Sequence, residues 1–290
     1  AVQKTALDRL LTAPDAAGFD SAWEFIDRNF ADLYSVPENV AELKKAILQL
    51  AVMGKLVPQD PGDQPASELL KEIEAEKKKL IKAGKIKKQE PLPPIKPEEV
   101  PYTLPAGWAW VRLRDLGYFQ GGKTPSTNKA SYWQGTIPWV SAKDMKTLII
   151  HDSEDHVTEA GVASGLALIP INSVLMVVRS GILRRAFPVA INATVCTINQ
   201  DLKALVLFPG VYAAYVLLML RGFEKYILCN LTKAGMTVES VMFNDFCVHR
   251  FPLPPLAEQK RIVAKVDALM ELCDELEQQL KDATDKQTAI

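Results

Sequence analysis

One segment of the chain matches a phosphate-binding pattern. Residues 117–124 read GYFQGGKT, which satisfies G-x-x-x-x-G-K-[ST], where backbone amides and a lysine hold nucleotide phosphates. Such a loop needs a buried strand before it and a helix after it, but Arg112 and Arg114 precede the pattern and Pro125 follows it without apolar periodicity. We therefore interpret the segment as a glycine-rich turn, and keep a P-loop NTPase as an alternative.

The residues from this turn onward combine hydroxyl, amide, cationic and aromatic side chains. Groups of these types contact the phosphates, sugars and base edges of nucleic acid. For the aromatic residues the alternative is a place in the domain core, where large aromatic side chains are common. The candidate DNA-contacting residues of this first group are Lys123, Thr124, Ser126, Thr127, Asn128, Lys129, Tyr132 and Trp133.

Arg179, Arg184 and Arg185 form a second basic group near a predicted turn. Arginine makes bidentate hydrogen bonds to guanine edges and to phosphate, so these residues are also candidate DNA contacts. The alternative is a solvated hairpin tip. We add Lys143 and Lys233, although a single charge near a turn is more often ordinary surface.

The sequence contains no recognisable catalytic pattern. There is no nucleophile elbow G-x-S-x-G, no dinucleotide-binding G-x-G-x-x-G, and no Asn-Pro-Pro-aromatic segment of the adenine methyltransferase kind. His151 and His156 lie on a polar stretch without a third ligand at metal-like spacing. The four cysteines are widely spaced, which is typical of buried free thiols in a reducing compartment. We predict no catalytic residue and no metal site.

Three segments of different character precede the C-terminal end. Residues 1–90 read as helical, and Ser21 with Glu24 forms a capping-box pattern that predicts a helix start. Residues 91–100 are proline-rich, which favours an extended linker. In residues 101–254, short β-branched and aromatic runs are broken by glycine, proline and asparagine, so we predict a mixed α/β domain with a strand-rich core.

The last segment, residues 255–290, predicts one long helix. Its apolar residues alternate at spacings of four and three, the pattern of a coiled-coil seam, which needs a partner helix from this chain or another. The predicted fold class is α+β: a globular mixed domain between an N-terminal helical region and a long C-terminal coiled-coil helix. A coiled-coil scaffold for protein binding is a second alternative function. The seam residues are Ile262, Val266, Leu269, Cys273, Leu276 and Leu280.

The net charge of −1 is unevenly distributed along the chain. Residues 101–250 carry 14 basic and 10 acidic side chains, whereas both ends of the chain are acidic. A basic middle is compatible with a phosphate-facing surface. No apolar run approaches the roughly 20 residues that span a bilayer, and the first apolar stretch is too short and too interrupted for a signal peptide. We expect a cytoplasmic protein without a membrane partner.

Several segments carry a family resemblance. Residues 104–113 read LPAGWAWVRL and residues 252–263 read PLPPLAEQKRIV. The first is similar to the start of a target recognition domain in the specificity (S) subunits of Type I restriction–modification systems. The second, the most specific, resembles the junction between that domain and a long conserved helix. Residues 121–126, 133–140 and 198–202 fit the same family, and residues 43–50 with residues 54–57 resemble the segment that usually follows the helix.

The resemblance implies a non-catalytic subunit that reads one half of a split target in double-stranded DNA. A complete S subunit of this family has two recognition domains and two long helices, but this sequence has one of each. The resemblance therefore implies that the sequence is half of an S subunit, either a natural half-subunit or a piece of a longer chain. The implied partners are a second specificity half or a second copy through the C-terminal helix, methylation (M) subunits and restriction (R) subunits. The implied cofactors, S-adenosylmethionine, ATP and magnesium, would lie on the partner subunits, with none on this chain.

Overall fold

The computed structural model describes residues 2–88, 90–235 and 237–288, with side chains as far as Asp285. The chain forms two compact units. The first contains the residues up to Gln59 and those from Lys260 onward, and the second contains residues 60–259. These limits differ from the predicted domain limits at 90 and 254, because the helix at residues 66–82 and the proline-rich segment belong to the second unit.

Helices and strands are numbered in chain order. The helices are α1 (Val2–Leu11), α2 (Ala16–Arg28), α3 (Phe30–Leu33), α4 (Pro37–Val52), α5 (Ala66–Lys82), α6 (Glu159–Ala163), α7 (Ala213–Gly222), α8 (Glu224–Asn230), α9 (Phe243–Val248) and α10 (Leu256–Thr288). The strands are β1 (Ala109–Arg112), β2 (Gly117–Gly121), β3 (Trp133–Val140), β4 (Ile149–Ile150), β5 (His156–Val157), β6 (Val174–Val177), β7 (Val189–Asn192), β8 (Thr197–Ile198), β9 (Leu202–Leu207), β10 (Thr232–Lys233), β11 (Ser240–Val241) and β12 (Arg250–Leu253). This mixture confirms the predicted α+β fold class.

The first unit is helical, as predicted, but one predicted helix start is wrong. Helix α2 begins at Ala16, and Ser21 and Glu24 lie within it. The backbone of Asp15 is extended, and its carboxylate accepts a hydrogen bond from the Gly18 amide at 2.8 Å. Aspartate at this position satisfies one of the free amides of the first turn, so the helix starts more than one turn earlier than the capping-box pattern indicates.

The second unit is built around a five-stranded sheet in the order β2-β9-β6-β7-β4. Its pairs are antiparallel except for the parallel pair β4–β7. A three-stranded sheet, β5-β3-β8, belongs to the same unit, and β3 and β8 are parallel. Both faces of β6 are covered, since all four of its residues are buried. The main core therefore lies at this central strand, and includes Leu175, Val177 and Ala204.

Two of the segments that carry the family resemblance, residues 104–113 and 252–263, pack against each other. Strand β1 pairs antiparallel with β12, and the Trp108 indole nitrogen donates to a carboxylate oxygen of Glu258 at 2.9 Å. Glu258 is almost fully buried, at 1% exposure, so this bond satisfies a carboxylate that would otherwise be costly to bury. The contacts join the start of the strand-rich domain to the first turn of α10.

All four cysteines are free thiols, as predicted. Cys196 and Cys273 are buried, and burial raises the pKa of Cys196 to about 12. Cys229 is exposed, so the prediction of burial is wrong for this residue. It lies near the end of α8, next to the solvent-facing Asn230.

Candidate nucleic-acid interface

The glycine-rich segment is a strand followed by an extended segment. Its first five residues form β2, which pairs antiparallel with β9, and among the described residues no α-helix begins near Thr124. Gly122 lies directly against the backbone that follows β8, where an added Cβ would stand 2.0 Å from the carbonyl oxygen of Asn199. The glycine thus permits a close approach of two backbones and does not cradle a phosphate. This geometry gives no support to the P-loop alternative.

The extended segment after β2 is fixed at both of its ends. The Lys123 amide donates to the Ile198 carbonyl at 3.0 Å, and the Lys123 carbonyl accepts from the Trp139 indole at 3.1 Å. Trp133 packs edge-on against Trp139, with ring centroids 5.2 Å apart, and its indole donates to the Ser126 carbonyl at 3.1 Å. Trp133 therefore supports the segment from a half-buried position, as its core alternative suggested.

Between those ends the polar side chains are solvent-exposed. Ser126, Thr127 and Asn128 are all exposed. The Lys129 amine lies 4.4 Å from the centroid of the Tyr132 ring and donates to its hydroxyl at 2.8 Å. This pair places a cation beside an aromatic ring on the protein surface, an arrangement able to contact both phosphate and base.

The second basic group lies in the segment that connects the antiparallel strands β6 and β7, around a 3₁₀ turn at residues 181–184, so it occupies the solvated hairpin connection of the alternative interpretation. Arg184 pairs through Nε with Glu239 at 2.6 Å, and Arg179 pairs through Nε with Asp201 at 3.1 Å. The hydrogen bond from Arg184 lowers the pKa of Glu239 below its ordinary value, so its carboxylate is charged at neutral pH. Arg185 is exposed.

The structure brings Lys233 into this second group. Lys233 is paired with Ser240 in the β10–β11 ribbon, and Ser240 forms a bridge to Arg179. The Ser180 amide donates to the Glu239 carbonyl at 3.1 Å, which ties the ribbon to the arginine turn. The exposed Lys233 therefore stands next to the arginines although it is far from them in sequence.

A turn at residues 199–201 joins the first group to the second. The Thr124 hydroxyl donates to the side-chain oxygen of Gln200 at 2.5 Å. On the other side, the Asp201 carbonyl accepts from the amides of Val178, at 2.8 Å, and Arg179, at 3.2 Å. Sequence reasoning missed Gln200, although the polar run between two apolar strands is a turn signal that could have drawn attention to it.

We call the resulting continuous set of residues the basic surface. It contains the cations of both groups and the polar residues between them. Its members are Lys123, Thr124, Ser126, Thr127, Asn128, Lys129, Arg179, Arg184, Arg185, Gln200 and Lys233.

Lys143 makes its contacts elsewhere. Its amine lies 2.9 Å from Asp155 and 3.0 Å from Glu154. Hydrogen bonds to these two carboxylates raise the pKa of Lys143 above its ordinary value, and the bond to Asp155 has the larger effect. The structure thus does not bring Lys143 together with the other candidate residues, and its charge is matched by neighbouring carboxylates.

The predicted seam of α10 is partly covered within the chain. Ile262, Val266 and Cys273 are buried, whereas Leu269, Leu276 and Leu280 are half-buried. Within the first unit, the Lys44 amine of α4 lies 2.6 Å from Asp274 and 2.7 Å from Glu277. A helix of the same chain therefore lies beside part of the seam. Leu272, on another side of α10, is 60% exposed.

Membrane-spanning helices and metal-binding clusters are both absent from the part of the chain that the structure describes. No helix there is long and apolar enough to cross a bilayer. Nor do three or more His, Cys, Asp or Glu residues among the described ones converge into a group able to hold a metal ion. His156 instead bonds to Asp152 at 2.7 Å.

Comparison with known proteins identifies the family. The model of the Type I restriction modification DNA specificity domain matches residues 105–284, more than half of the chain. The chain belongs to this family, which confirms the resemblance seen in the sequence. The match includes both the basic surface and most of α10.

Curated relatives agree with this assignment, and a solved structure shares the fold. The chain is 32% identical to the Type I restriction enzyme EcoAI specificity subunit of Escherichia coli, over 99% of this chain and 49% of the relative. It is 30% identical to the EcoEI specificity subunit of the same species, over 98% of this chain and 49% of the relative. The chain thus spans about half the length of these relatives. A chain from a structure of the type I R-M system has the same fold, with a TM-score of 0.52, 20% identity, and coverage of 97% of this chain and 64% of the other.

Proposed function

We propose that this chain is a DNA sequence-recognition part of a Type I specificity subunit, and that it reads one half of a bipartite duplex target through the basic surface. One observation carries the proposal. Two cationic groups, separated by about fifty residues in sequence, are joined by the 199–201 turn through the Thr124–Gln200 and Asp201–Arg179 contacts. In a chain of this family, such a surface is suited to a polyanion with readable base edges.

The ion pairs suggest which cations contact bases and which contact phosphates. Arg179 and Arg184 use Nε for their carboxylate partners, and the described residues offer no acceptor to their terminal nitrogens. The Arg184 guanidinium, which its hydrogen bond to Glu239 holds in place, loses little conformational entropy when it forms a bidentate bond to guanine or phosphate. Arg185 and Lys233 are exposed and have no carboxylate partner among the described residues, so they are suited to phosphate contacts. We expect Lys143 to contribute least.

The helical unit and α10 supply surfaces for protein partners. Trp23 and Phe25 on α2 and Phe30 on α3 are 51%, 43% and 40% exposed, and exposed aromatic side chains of this size are characteristic of interaction surfaces. The family membership and these side chains support docking of M subunits on the helices. The exposed Leu272 and the half-buried seam residues support pairing with a second specificity half or a second copy through α10.

The remaining assignments follow from the same proposal. We infer a cytoplasmic, non-catalytic subunit. S-adenosylmethionine would be bound by the M subunits, and ATP and magnesium would be used by the R subunits.

Charge reversal tests the DNA interface. The unmodified chain, assembled with M subunits, first selects its preferred duplexes from a random pool. The variant Lys123→Glu/Arg184→Glu/Arg185→Glu, assembled in the same way, should lose specific binding to those duplexes. Each lost phosphate contact should also reduce the slope of log affinity against log salt by about 1. The matched control, Lys78→Glu/Lys82→Glu/Lys225→Glu, changes the net charge equally at exposed positions outside the basic surface. Unchanged specific binding by the first variant, or equal loss in the control, would overturn the proposal.

Helix pairing needs a separate test. Leu272→Asp places a charge on a residue that is already 60% exposed, so the chain should fold and only assembly should suffer. Gln278→Asp introduces the same charge at an exposed position on a different side of α10 and serves as the control. Analytical ultracentrifugation with and without M subunits should show loss of a complex for the first variant alone. Retained assembly would exclude this side of α10 as an interface.

A further inference from the structure

The turn that joins the two cationic groups has a rigid backbone. The amide of Asn199 donates to the Val140 carbonyl at 2.9 Å, and its side-chain oxygen accepts from the Asp201 amide at 3.0 Å. Its carbonyl also accepts from the Leu202 amide at 3.3 Å, and Asn199 itself is only 8% exposed. A buried asparagine thus fixes the turn, and the next residue, Gln200, is presented to solvent.

The amide group of Gln200 is held at one end only. Its oxygen accepts the hydrogen bond from the Thr124 hydroxyl, whereas its nitrogen has no acceptor among the residues that the structure describes. Thr124 is itself fixed through its neighbour Lys123, whose amide bonds to Ile198. An exposed glutamine with an anchored oxygen has a defined amide orientation and two unused N–H donors.

We propose that Gln200 is a specificity-determining residue that donates from its side-chain nitrogen to the major-groove edge of a base in the target. This inference rests on the proposed function and names one residue that would contact a base in the target. The neighbouring cations Lys123 and Arg179 carry the charge that a phosphate contact needs. Gln200 is neutral, so a contact with phosphate would release no counterion and would add little to DNA affinity. A contact with a base edge would instead use its fixed geometry to distinguish one base from another.

The anchored oxygen also determines which base fits. A free glutamine pairs with adenine because it offers one acceptor and one donor to N6 and N7. Because the Thr124 hydrogen bond holds the amide oxygen toward the protein, Gln200 presents mainly its N–H donors, although the oxygen keeps a second lone pair. Guanine is the base whose major-groove edge carries two acceptors, N7 and O6, so the contacted base is guanine.

The experiment is selection from a random duplex pool by the full chain assembled with M subunits, followed by sequencing. The variants are Gln200→Ala and Thr124→Val, and Gln64→Ala is the control, because Gln64 is also an exposed glutamine of the second unit. We expect Gln200→Ala to relax the preference for guanine at one position by about 5- to 100-fold and to leave the salt dependence unchanged. Thr124→Val frees the amide oxygen, and the preference at that same position should shift toward adenine.

Each other outcome has a defined meaning. If Gln200→Ala keeps every base preference, or loses affinity equally for all sequences, Gln200 does not read a base and the inference is wrong. If the relaxed position is not a guanine, the assigned base pairing is wrong. If the natural chain with M subunits enriches no sequence at all, the proposed function itself fails. Circular dichroism of each variant distinguishes these results from loss of folding.

Discussion

Gly122→Ala gives the sharpest test of how the basic surface is built. An added Cβ would stand 2.0 Å from the Asn199 carbonyl oxygen and 2.3 Å from that of Ile198. Ordinary contact begins at 3.4 Å, so one backbone must move by roughly 1.4 Å. Backbone oxygens cannot rotate away as a flexible side chain can, and Ile198 is buried at 1% exposure.

The cost of the Gly122→Ala change follows from two terms. Overpacking of this kind costs about 1–3 kcal/mol, and displacement of the Lys123 amide from the Ile198 carbonyl costs about 1 kcal/mol more. With a denaturant slope of about 2–3 kcal/mol/M, the midpoint of urea unfolding should fall by roughly 1–2 M. Tryptophan fluorescence is a suitable probe because four of the five tryptophans lie in the second unit.

Gly181→Ala is the matched control for Gly122→Ala. A Cβ added at Gly181 would meet nothing within 4 Å, and this glycine lies in the arginine turn of the same surface. The midpoint of urea unfolding of the Gly181→Ala variant should be unchanged or slightly raised, since alanine restricts the conformations of the unfolded chain. A Gly122→Ala midpoint equal to that of the natural chain would refute the reasoning that close backbone approach requires glycine there.

Three further changes test the packing and electrostatics of the two units. Tyr215→Phe removes a buried hydroxyl that donates to the Pro252 carbonyl at 2.9 Å, and should lower the free energy of unfolding by about 1 kcal/mol in urea titration; an unchanged midpoint would contradict this. Burial, and then the charge of Arg250, lowers the pKa of His249 to about 4. As pH falls from about 6.5 toward 4, the unfolded chain takes up a proton that the folded chain does not, so stability is lost in this range. Discounted for solvent screening, this loss in the free energy of unfolding is about 1–2 kcal/mol. His249→Phe should therefore flatten the dependence of the free energy of unfolding on pH in this range, and an unaltered slope would show that His249 is not its cause. Lys44→Met should cost about 1 kcal/mol or less at low salt, because one of its two carboxylate partners is 71% exposed, and the difference should vanish in 1 M NaCl.

Local signals in the sequence predicted the fold class and suggested the kinds of residue that form the candidate interface. The β-branched runs, the heptad-like seam and the proline-rich segment act through neighbours in the chain, so they can be interpreted without coordinates. The same is true of the P-loop pattern, where the residues on either side already argued against a phosphate loop. The wrong helix start at Ser21 has a local cause too: Asp15 provides an earlier cap that lies outside the capping-box pattern.

The domain limits could not be predicted in this way. Prolines at residues 91–97 mark an extended segment, but an extended segment can lie along a folded unit as easily as between two units. Helix α5 belongs to the unit that follows it in sequence, since its buried residues Leu69 and Ile73 pack within residues 60–259. Which surface an amphipathic helix covers is decided by tertiary packing and not by its own periodicity.

The sequence by itself determined the family, the α+β class and most members of the basic surface, because each rests on residue types and on spacing within one segment. Only the tertiary structure decided which of those residues act together. It joined Lys233 to the arginines through Ser240, set Lys143 apart with two carboxylates, and placed Gln200 between the two groups. The physical reason is that charge pairing and hydrogen bonding depend on distances between segments far apart in the chain, and those distances are fixed only when the strands have paired.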